Sequence, residues 1–463
     1  MKIAIDLDHT LIDYSTVYKY ALRDLKLNHL FNEDQIPTKE YIKKVIKEDP
    51  EFGNNIWIKF QGLCYGKYIA EALFFNKSLN TISSLLQKGY EITIVSHKTK
   101  ESLCGEFPLQ EVARKRIQQE SLDIDIVFKS SSEEKIHYIN ANKFNFVIDD
   151  LESILTHVSN DTVKINFGQS KKFFSTMSWE VIDEFFDAYV DIGSPKITHV
   201  QKNIFKTDNH LYLKIFNNHE RIIREKDNLE VLRDYNQVPK IIDTYTSIII
   251  TEEVKTSPLS TIDKTFNIAY KNIIERLKES KIEHKATHNV SSYFHYIDRV
   301  KERAKKIQNK TVKKQIEDYL ESSLLLNQDT KLSFDYCLPD LSKKNLMNGD
   351  DNIIFFDFES AGYGSTERAF LNFIHHPENK LTIQELDVLV STFKSTYNTN
   401  FCLKSALNIF DINYLEWCII IYNYNSEIGI DKLSQFFSKT KGEASLIWKT
   451  KEYDFLKRKI STD

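Results

Sequence analysis

Residues 1–13 read MKIAIDLDHTLID, an apolar run from 2 to 7 that carries Asp6 and is followed at once by Asp8 and Thr10. A short continuous apolar run without alternation predicts a strand buried on both faces. Two carboxylates one residue apart at its carboxyl end are either a polar terminus or a pair aimed at one ligand. The sequence around the run decides between them.

From Ser15 to about Ala72 the apolar spacing is helical, as in YIKKVIKE (41–48) and YGKYIAEAL (65–73). LNTISSLLQKGYEITIVSHKT (79–99) predicts a helix closed by Gly89 and a buried strand from Glu91 to Val95. A helical stretch, LQEVARKRIQQE (109–120), separates it from two further apolar runs, DIDIVF (123–128) and FNFVIDD (144–150). Buried strands alternating with helices predict a doubly wound parallel-sheet α/β domain over 1–193. At DIGSPKITHV (191–200), Gly193, Ser194 and Pro195 predict a junction.

Beyond it the pattern changes. NIFKTDNHLYLKIF (203–216) predicts a hairpin turning at Asp208–Asn209; ERIIREKDNLEVLRDY (220–235) predicts a helix and TSIIITEEV (246–254) a strand. From about 262 the spacing is helical, broken only over 332–364. The second half therefore reads as a small sheet lobe, about 196–254, followed by a mostly helical lobe, about 255–463.

With Lys+Arg 62 against Asp+Glu 66, a net charge of −4 leaves no electrostatic footprint for a nucleic-acid partner or an anionic membrane. Cys64, Cys104, Cys337, Cys402 and Cys418 show no CxxC spacing and are odd in number, against a disulfide framework or a zinc site. The longest apolar candidate, CIIIYNY (418–424), is far too short to span a membrane, and no leader precedes the first strand. A cytoplasmic protein acting on small molecules is the expectation.

In the first half, Asp6 and Asp8, Ser96, Lys135, and the pair Asp149–Asp150 all fall at strand ends or helix starts on one side of the expected sheet. Phosphoryl transfer through a carboxylate needs such a set. Asp6 attacks phosphorus, Asp8 serves as acid and then base, and Ser96 and Lys135 hold phosphoryl oxygens. Asp6, the Asp8 carbonyl, Asp149 and Asp150 supply oxygens suited to Mg²⁺. Lys129 in KSSSEEK (129–135) competes with Lys135 for its role. His97 and Lys98 read as a solvated loop, and Trp179 as core.

In the order DLDHT, IVSHKT, Lys135 and VIDD, this half resembles the haloacid dehalogenase-like phosphatases over about 1–190. The resemblance implies a Mg²⁺-dependent phosphomonoester hydrolase, with the helical insertion of about 14–75 as a cap over the site. His9 stands where glycine is commoner in that family.

In the second half, Asp340 followed five residues later by Asn345, then a strand ending at Asp357, is the arrangement of a hydroxyl base and a Mg-nucleotide site. Lys214 is the expected phosphate-binding lysine, Glu225 its ion-pair partner with Glu230 the runner-up, and Glu252 to Val254 the hinge facing adenine. DLSKKN and DFESAGYGS resemble the aminoglycoside phosphotransferase-like (choline kinase-like) small-molecule kinases over about 196–463. The resemblance implies a bilobal protein kinase-like fold, ATP as cofactor and a small hydroxyl compound as acceptor.

Two departures stand out. Leu338 and Pro339 replace the family's His and Gly before the catalytic Asp, and VQKNIFKTDN (200–209) has no glycine, leaving phosphate cover to backbone around Lys202–Thr207. The whole reads as a bifunctional phosphatase and kinase, with sugar phosphates of nucleotide-sugar or glycan synthesis as the expected substrates. Two other readings stay open: a choline- or antibiotic-type kinase, and a kinase-shaped nucleotide sensor regulating the phosphatase. The lysine-rich stretches 271–285 and 299–310 read as solvated helix faces.

Overall fold

The computed structural model describes residues 1–31, 37–48, 53–120, 122, 124–286, 289–350, 352–440 and 450–460, with side chains left undescribed at 325–326, 438–440 and 450. The chain divides into two compact units, Met1–Asn217 with Tyr245–Ile248, and Asn218–Thr244 with Ile249–Asp463.

The first unit is built on a six-stranded parallel sheet in the order Asp125–Lys129, Glu91–His97, Lys2–Ile5, Phe146–Asp149, Val163–Phe167 and Phe174–Thr176. Numbered along the chain, the strands run three, two, one, four, five, six, so strand order reverses beside Lys2–Ile5. Ligands bind at the carboxyl ends of strands at such a switch point. The four expected strands form, the first ending at Ile5, one residue ahead of Asp6, and the second continuing past Val95 to His97. Val163–Phe167 and Phe174–Thr176 are strands that the sequence reading did not anticipate. VKINF alternates and FST is three residues long, so neither has the continuous apolar signature of the central strands.

The expected helical insertion is present. Its described helices are Ser15–Asp24, Lys39–Glu48 and Gly53–Gly62, the last running into a wide turn at Leu63–Lys67. Both of its ends are tied together, Ile12 pairing with Phe74 and Asp13 with Leu73. The insertion is thus a closed excursion from the loop after the first strand.

The expected hairpin forms as Ile204–Thr207 against Leu211–Ile215, with Ile204 opposite Lys214. An unanticipated strand, Ile197–Gln201, pairs with its outer side. The Phe205 ring lies 5.9 Å from that of Phe174 and 5.4 Å from that of Phe185. This shared aromatic core carries the first unit past the Gly193–Pro195 turn, where Gly193 and Ser194 both take positive φ.

In the second unit the expected helix is His219–Val231, capped by the Asn218 side chain, and the expected strand is Ile248–Glu252, paired with an unanticipated Ile241–Thr244. The helical region comprises Lys264–Glu279, Tyr293–Ala304, Lys310–Leu326, Thr366–His375, Ile383–Tyr397, Phe410–Tyr424 and Ser426–Thr440 among others. Its break is formed by two antiparallel pairs, Phe334–Cys337 with Gly362–Ser365 and Leu346–Asn348 with Ile353–Phe355. One apolar core, including Phe266, Tyr270, Phe355, Phe370 and Phe393, underlies both. Among the described residues no helix is long and apolar enough to cross a membrane.

Candidate functional site

The DLDHT turn places its acids by backbone geometry. Leu11 and Ile12 donate backbone N–H bonds to Leu7 O, each at 3.0 Å, and His9 adopts φ +64°. A tight turn of this hand is where glycine is favoured, and His9 accepts it. Asp6 is thereby left at the strand end, buried, and Asp8 one turn further on, partly exposed.

Lys135 reaches this point from the opposite side. Ser131 caps the Ser132–Ala141 helix by accepting from Glu134 N, which sets Lys135 in the first turn. Its ammonium lies 2.5 Å from Asp6 Oδ1 and 2.6 Å from Asp149 Oδ2, with all three side chains buried. Lys129 instead lies over the Tyr138 ring at 4.4 Å, so the choice between the two lysines falls on Lys135. Carboxylate oxygens of Asp6, Asp149 and Asp150 lie within 4.8 Å of one another. Burial, opposed by Lys135 and reinforced by Asp149, pushes the Asp6 carboxyl up to about 7. Burial with Asp6 and Asp149 pushes Asp150 up to about 8. Three carboxylates facing one ammonium are short of positive charge. An all-oxygen donor set with that deficit fits a hard divalent cation such as Mg²⁺.

Asp8 has its own partners. Tyr14 donates its hydroxyl at 2.6 Å to Asp8 Oδ1, and Lys98 Nζ lies 2.8 Å from Asp8 Oδ2. Burial alone would raise the Asp8 carboxyl, but Lys98 and the Tyr14 phenol outweigh it and hold it below its ordinary value. Lys98 is therefore not the solvated loop residue expected. Because the strand extends to His97, Lys98 N still bonds Lys129 O at 2.9 Å and its side chain turns inward, 2% exposed. His97 does stay on the surface. Trp179 is core, donating Nε1–H to Thr10 O at 3.0 Å. The Ser96 hydroxyl is buried with no hydrogen-bond partner among the described residues.

A cavity of about 450 Å³ opens over these groups, lined by Asp6, Asp8, Lys98 and Lys135 on the sheet side and by Lys39, Ile58, Gln61 and Tyr65 from the helical insertion. The insertion thus roofs the acids. His9 Nε2 meets the Tyr65 hydroxyl at 2.9 Å. Burial and Lys39 hold the His9 imidazole near 3, which keeps it neutral at ordinary pH. Tyr14, Tyr65 and Lys39 were missed in the sequence because aromatic and lysine residues in a helical region look the same whether they face a cavity or solvent.

In the second unit, a hairpin brings Asn345 and Asp357 together. Leu346 pairs with Phe355 and Asn348 with Ile353, so the residues flanking the hairpin meet, and Asn345 Nδ2 donates to Asp357 Oδ2 at 3.2 Å. Asp357 takes φ +71°, a costly conformation for a non-glycine residue, which turns the chain away from the strand at that point. Asn228 Nδ2 donates to Phe358 O at 3.4 Å, and Tyr336 donates its hydroxyl to Asn228 Oδ1, so the His219–Val231 helix is pinned to the segment after Asp357.

Asp340 lines a cavity of about 300 Å³ with Asn345 and Asp357. Enclosure by the surrounding protein, eased by Arg368 and reinforced by Asp357, raises its carboxyl above the ordinary value. Just before Asp340, Leu338 is buried and Asn372 Nδ2 donates to Pro339 O at 2.9 Å, anchoring the loop from behind.

Glu225 is buried in the His219–Val231 helix, whereas Glu230 is exposed beside Lys226. Lys214 lies on the Leu211–Ile215 strand of the first unit, its ammonium 5.0 Å from the Phe216 ring. Glu252 ends the Ile248–Glu252 strand, donating N–H to Lys240 O at 3.0 Å, and Val254 follows in irregular chain. Of the expected phosphate loop, Ile204–Thr207 is strand, leaving only Lys202 and Asn203 as the turn. Arg299 and Arg303, expected on a solvated face, instead turn to the buried Glu416, at 3.2 and 2.9 Å.

No protein-family model matches the chain, and no curated protein matches it. Among solved structures, it is similar to a choline kinase from Cryptosporidium parvum Iowa II, at 16% identity and TM-score 0.39 over 53% of this chain and 88% of that one. It is similar to the choline kinase LicA from Streptococcus pneumoniae at 14% identity and TM-score 0.38, over 60% of this chain and 98% of that one. A macrolide 2'-phosphotransferase from Brachybacterium faecium is similar at 10% identity and TM-score 0.37, over 56% of this chain and 97% of that one.

Proposed function

We propose that the chain joins a phosphomonoester hydrolase of the haloacid dehalogenase-like kind, at residues 1–193, to an ATP-dependent small-molecule kinase of the aminoglycoside phosphotransferase-like kind, at 196–463. The observation that carries the reading is the group of Asp6, Lys135, Asp149 and Asp150, the first three buried, at the switch point of a parallel sheet, under a helical roof.

At the first site, Asp6 attacks phosphorus as the bond to the leaving oxygen breaks and Asp8 gives that oxygen its proton, leaving an aspartyl-phosphate. Asp8, now the carboxylate that Lys98 and Tyr14 favour, takes the proton of the water that hydrolyses the aspartyl-phosphate and so returns to its protonated form. Lys135 and Ser96 hold phosphoryl oxygens. Asp6, Asp149, Asp150 and the Asp8 carbonyl would hold Mg²⁺, which screens the approach of an anionic phosphoryl group to an anionic nucleophile. At the second site, Asp340 orients and deprotonates the acceptor hydroxyl, and Asn345 and Asp357 would hold the Mg²⁺ of Mg-ATP. Lys214 is the lysine proposed to bind the α- and β-phosphates, and Glu252 to Val254 to meet the adenine. We infer sugar phosphate intermediates as substrates from the pairing alone, since the two activities avoid cancelling when one phosphate is removed and another is added elsewhere.

The test is paired. Wild-type protein, Asp6→Asn and Asp340→Asn are incubated with a panel of phosphomonoesters and with ATP plus hydroxyl acceptors, and phosphate and ADP are measured. Phosphate release lost in Asp6→Asn alone and ADP formation lost in Asp340→Asn alone are the expected results. Release unaffected by Asp6→Asn would sink the phosphatase reading. A second reading, nucleotide binding without transfer, is favoured by Leu338 and Pro339 in front of Asp340. It requires Mg-ATP to raise the melting temperature of wild type and Asp340→Asn alike, with no acceptor phosphorylated.

A further inference from the structure

The walls of the C-terminal cavity carry a charge opposite to the one that a cationic acceptor would need. Its described lining beyond Asp340, Asn345 and Asp357 includes Arg303, Lys344, His376, Trp417 and Ile420. The two carboxylates in that lining, Asp340 and Asp357, are those that the kinase reading assigns to base and metal. No further carboxylate in the described lining is left to face an ammonium group.

The positive side is built from within. Arg299, Arg303 and Arg368 all pair with Glu416, which also accepts from Tyr296 at 3.0 Å. Glu416 is shared among three guanidiniums, and of these Arg368 also faces Asp340, so Arg303 is the one turned to the cavity. Their side-chain exposures are 16%, 25% and 7% in that order, and Arg303, the most exposed, is the one that lines the cavity. Lys344 lines the same cavity as Asp340. Its partner Glu378 lies at 3.4 Å with both side chains more than half exposed, a pair that water screens strongly. His376 is held near 4 by burial and is neutral at ordinary pH, and its ring meets Trp417 edge to face at 5.0 Å. The wall is therefore two cations beside an aromatic face.

Resting on the kinase reading, we propose that the acceptor is a hydroxyl compound bearing a phosphate monoester, whose phosphate is held by Arg303 and Lys344 and whose apolar face lies on Trp417. The acceptor oxygen forms a bond to the γ-phosphorus, the bond from that phosphorus to the β–γ bridging oxygen breaks to leave ADP, and the hydroxyl proton passes to Asp340. Choline or an aminoglycoside would place its positive charge against Arg303, at a loss.

The experiment is calorimetric titration of the full chain, saturated with Mg²⁺ and a non-hydrolysable ATP analogue, using inorganic phosphate and choline as probes. Wild type, Arg303→Met, Arg303→Lys and Lys344→Met are compared. Phosphate affinity is expected to fall about tenfold in Lys344→Met and at least as much in Arg303→Met, to be largely kept in Arg303→Lys, and choline is expected not to bind. Phosphate held at the first site contributes equally to all four and cancels in the comparison. Should Arg303→Met fail to fold, surface-exposed Lys344→Met and charge-preserving Arg303→Lys still decide the matter. Identical phosphate isotherms in wild type and Lys344→Met, or choline binding at this cavity, would overturn the inference. A phosphate site that responds to these variants, with no Asp340-dependent ADP formation from any acceptor, would leave the anion subsite standing and remove the kinase reading. Asp340-dependent ADP formation that favours choline over phosphorylated sugars would do the reverse.

Discussion

Glu416→Gln removes the carboxylate on which Arg299, Arg303 and Arg368 converge, while keeping the side chain's shape. Burial by itself would raise the Glu416 carboxyl, but Arg368, Arg303 and Arg299 outweigh it and pull it from 4.5 to about 2. At about 1.4 kcal/mol per tenfold in acid strength, that displacement corresponds to about 3 kcal/mol of stabilisation by the charged form. The figure agrees with the roughly 3–5 kcal/mol lost when one partner of a buried ion pair is deleted. The folded-state value lies below the unfolded one, so the contribution is complete above about pH 4.5 and is lost as pH falls toward 2. Urea unfolding of wild type and Glu416→Gln at pH 7 should show a gap of about 3 kcal/mol, and the gap should narrow steadily between pH 5 and pH 3. A gap below about 1 kcal/mol at pH 7, or one that does not change with pH, would refute the reasoning. Glu416 would then be held by packing and by the Tyr296 hydroxyl rather than by its arginines.

Three further outcomes follow from particular contacts. Lys98→Met takes the cation from beside Asp8 and leaves it the Tyr14 hydroxyl, so turnover of phosphomonoesters should fall by about 10- to 100-fold and the melting temperature should fall as well; an unchanged turnover number would show that Lys98 plays no part with Asp8. A Cβ at Gly429 would lie 2.1 Å from Tyr422 Cα, so Gly429→Ala must separate the helices Phe410–Tyr424 and Ser426–Thr440 and should cost roughly 3 kcal/mol or more in urea unfolding, against less than 1 for an exposed helical Gly→Ala control. Asp411 is raised by burial to about 7, and its Oδ1 has no hydrogen-bond partner among the described residues. Its folded value exceeds the unfolded one, so the chain loses stability as pH rises from about 4 to 7, and Asp411→Asn should gain about 2 kcal/mol at pH 8 and almost nothing at pH 4.

The first site was legible because most of its groups sit where chain direction changes. Asp6, Lys135 and Asp149 mark transitions from apolar strand to polar turn or from turn to helix, and such transitions show in sequence, whereas Ser96 lies within a strand that runs on to His97. Lys98 was illegible for a related reason. Whether it faces water or Asp8 depends on the strand running two residues beyond Val95, and the reach of a strand end is decided by its neighbour, here the Lys98 N bond to Lys129 O, rather than by local composition. The strands Val163–Phe167 and Ile197–Gln201 were missed likewise, since both gain their order from pairing with a strand already in place.

The second site shows where spacing stops being informative. Asn345 and Asp357 were readable because a short hairpin fixes their separation whatever surrounds it. Arg303 and Trp417 reach the same cavity from two helices more than a hundred residues apart in the chain, and nothing in RVKERAKKIQNK distinguishes the arginine that turns toward Glu416 from the lysines that face water. What distinguishes them is helical phase against a partner that the sequence does not name: Arg299 and Arg303 are four residues apart, one turn of the same face, and Glu416 lies opposite both. Chemistry common to all phosphoryl transfer is written in short motifs. Choice of acceptor is written in which helical face meets which, so the cationic wall beside Asp340 emerges only once the helices are packed.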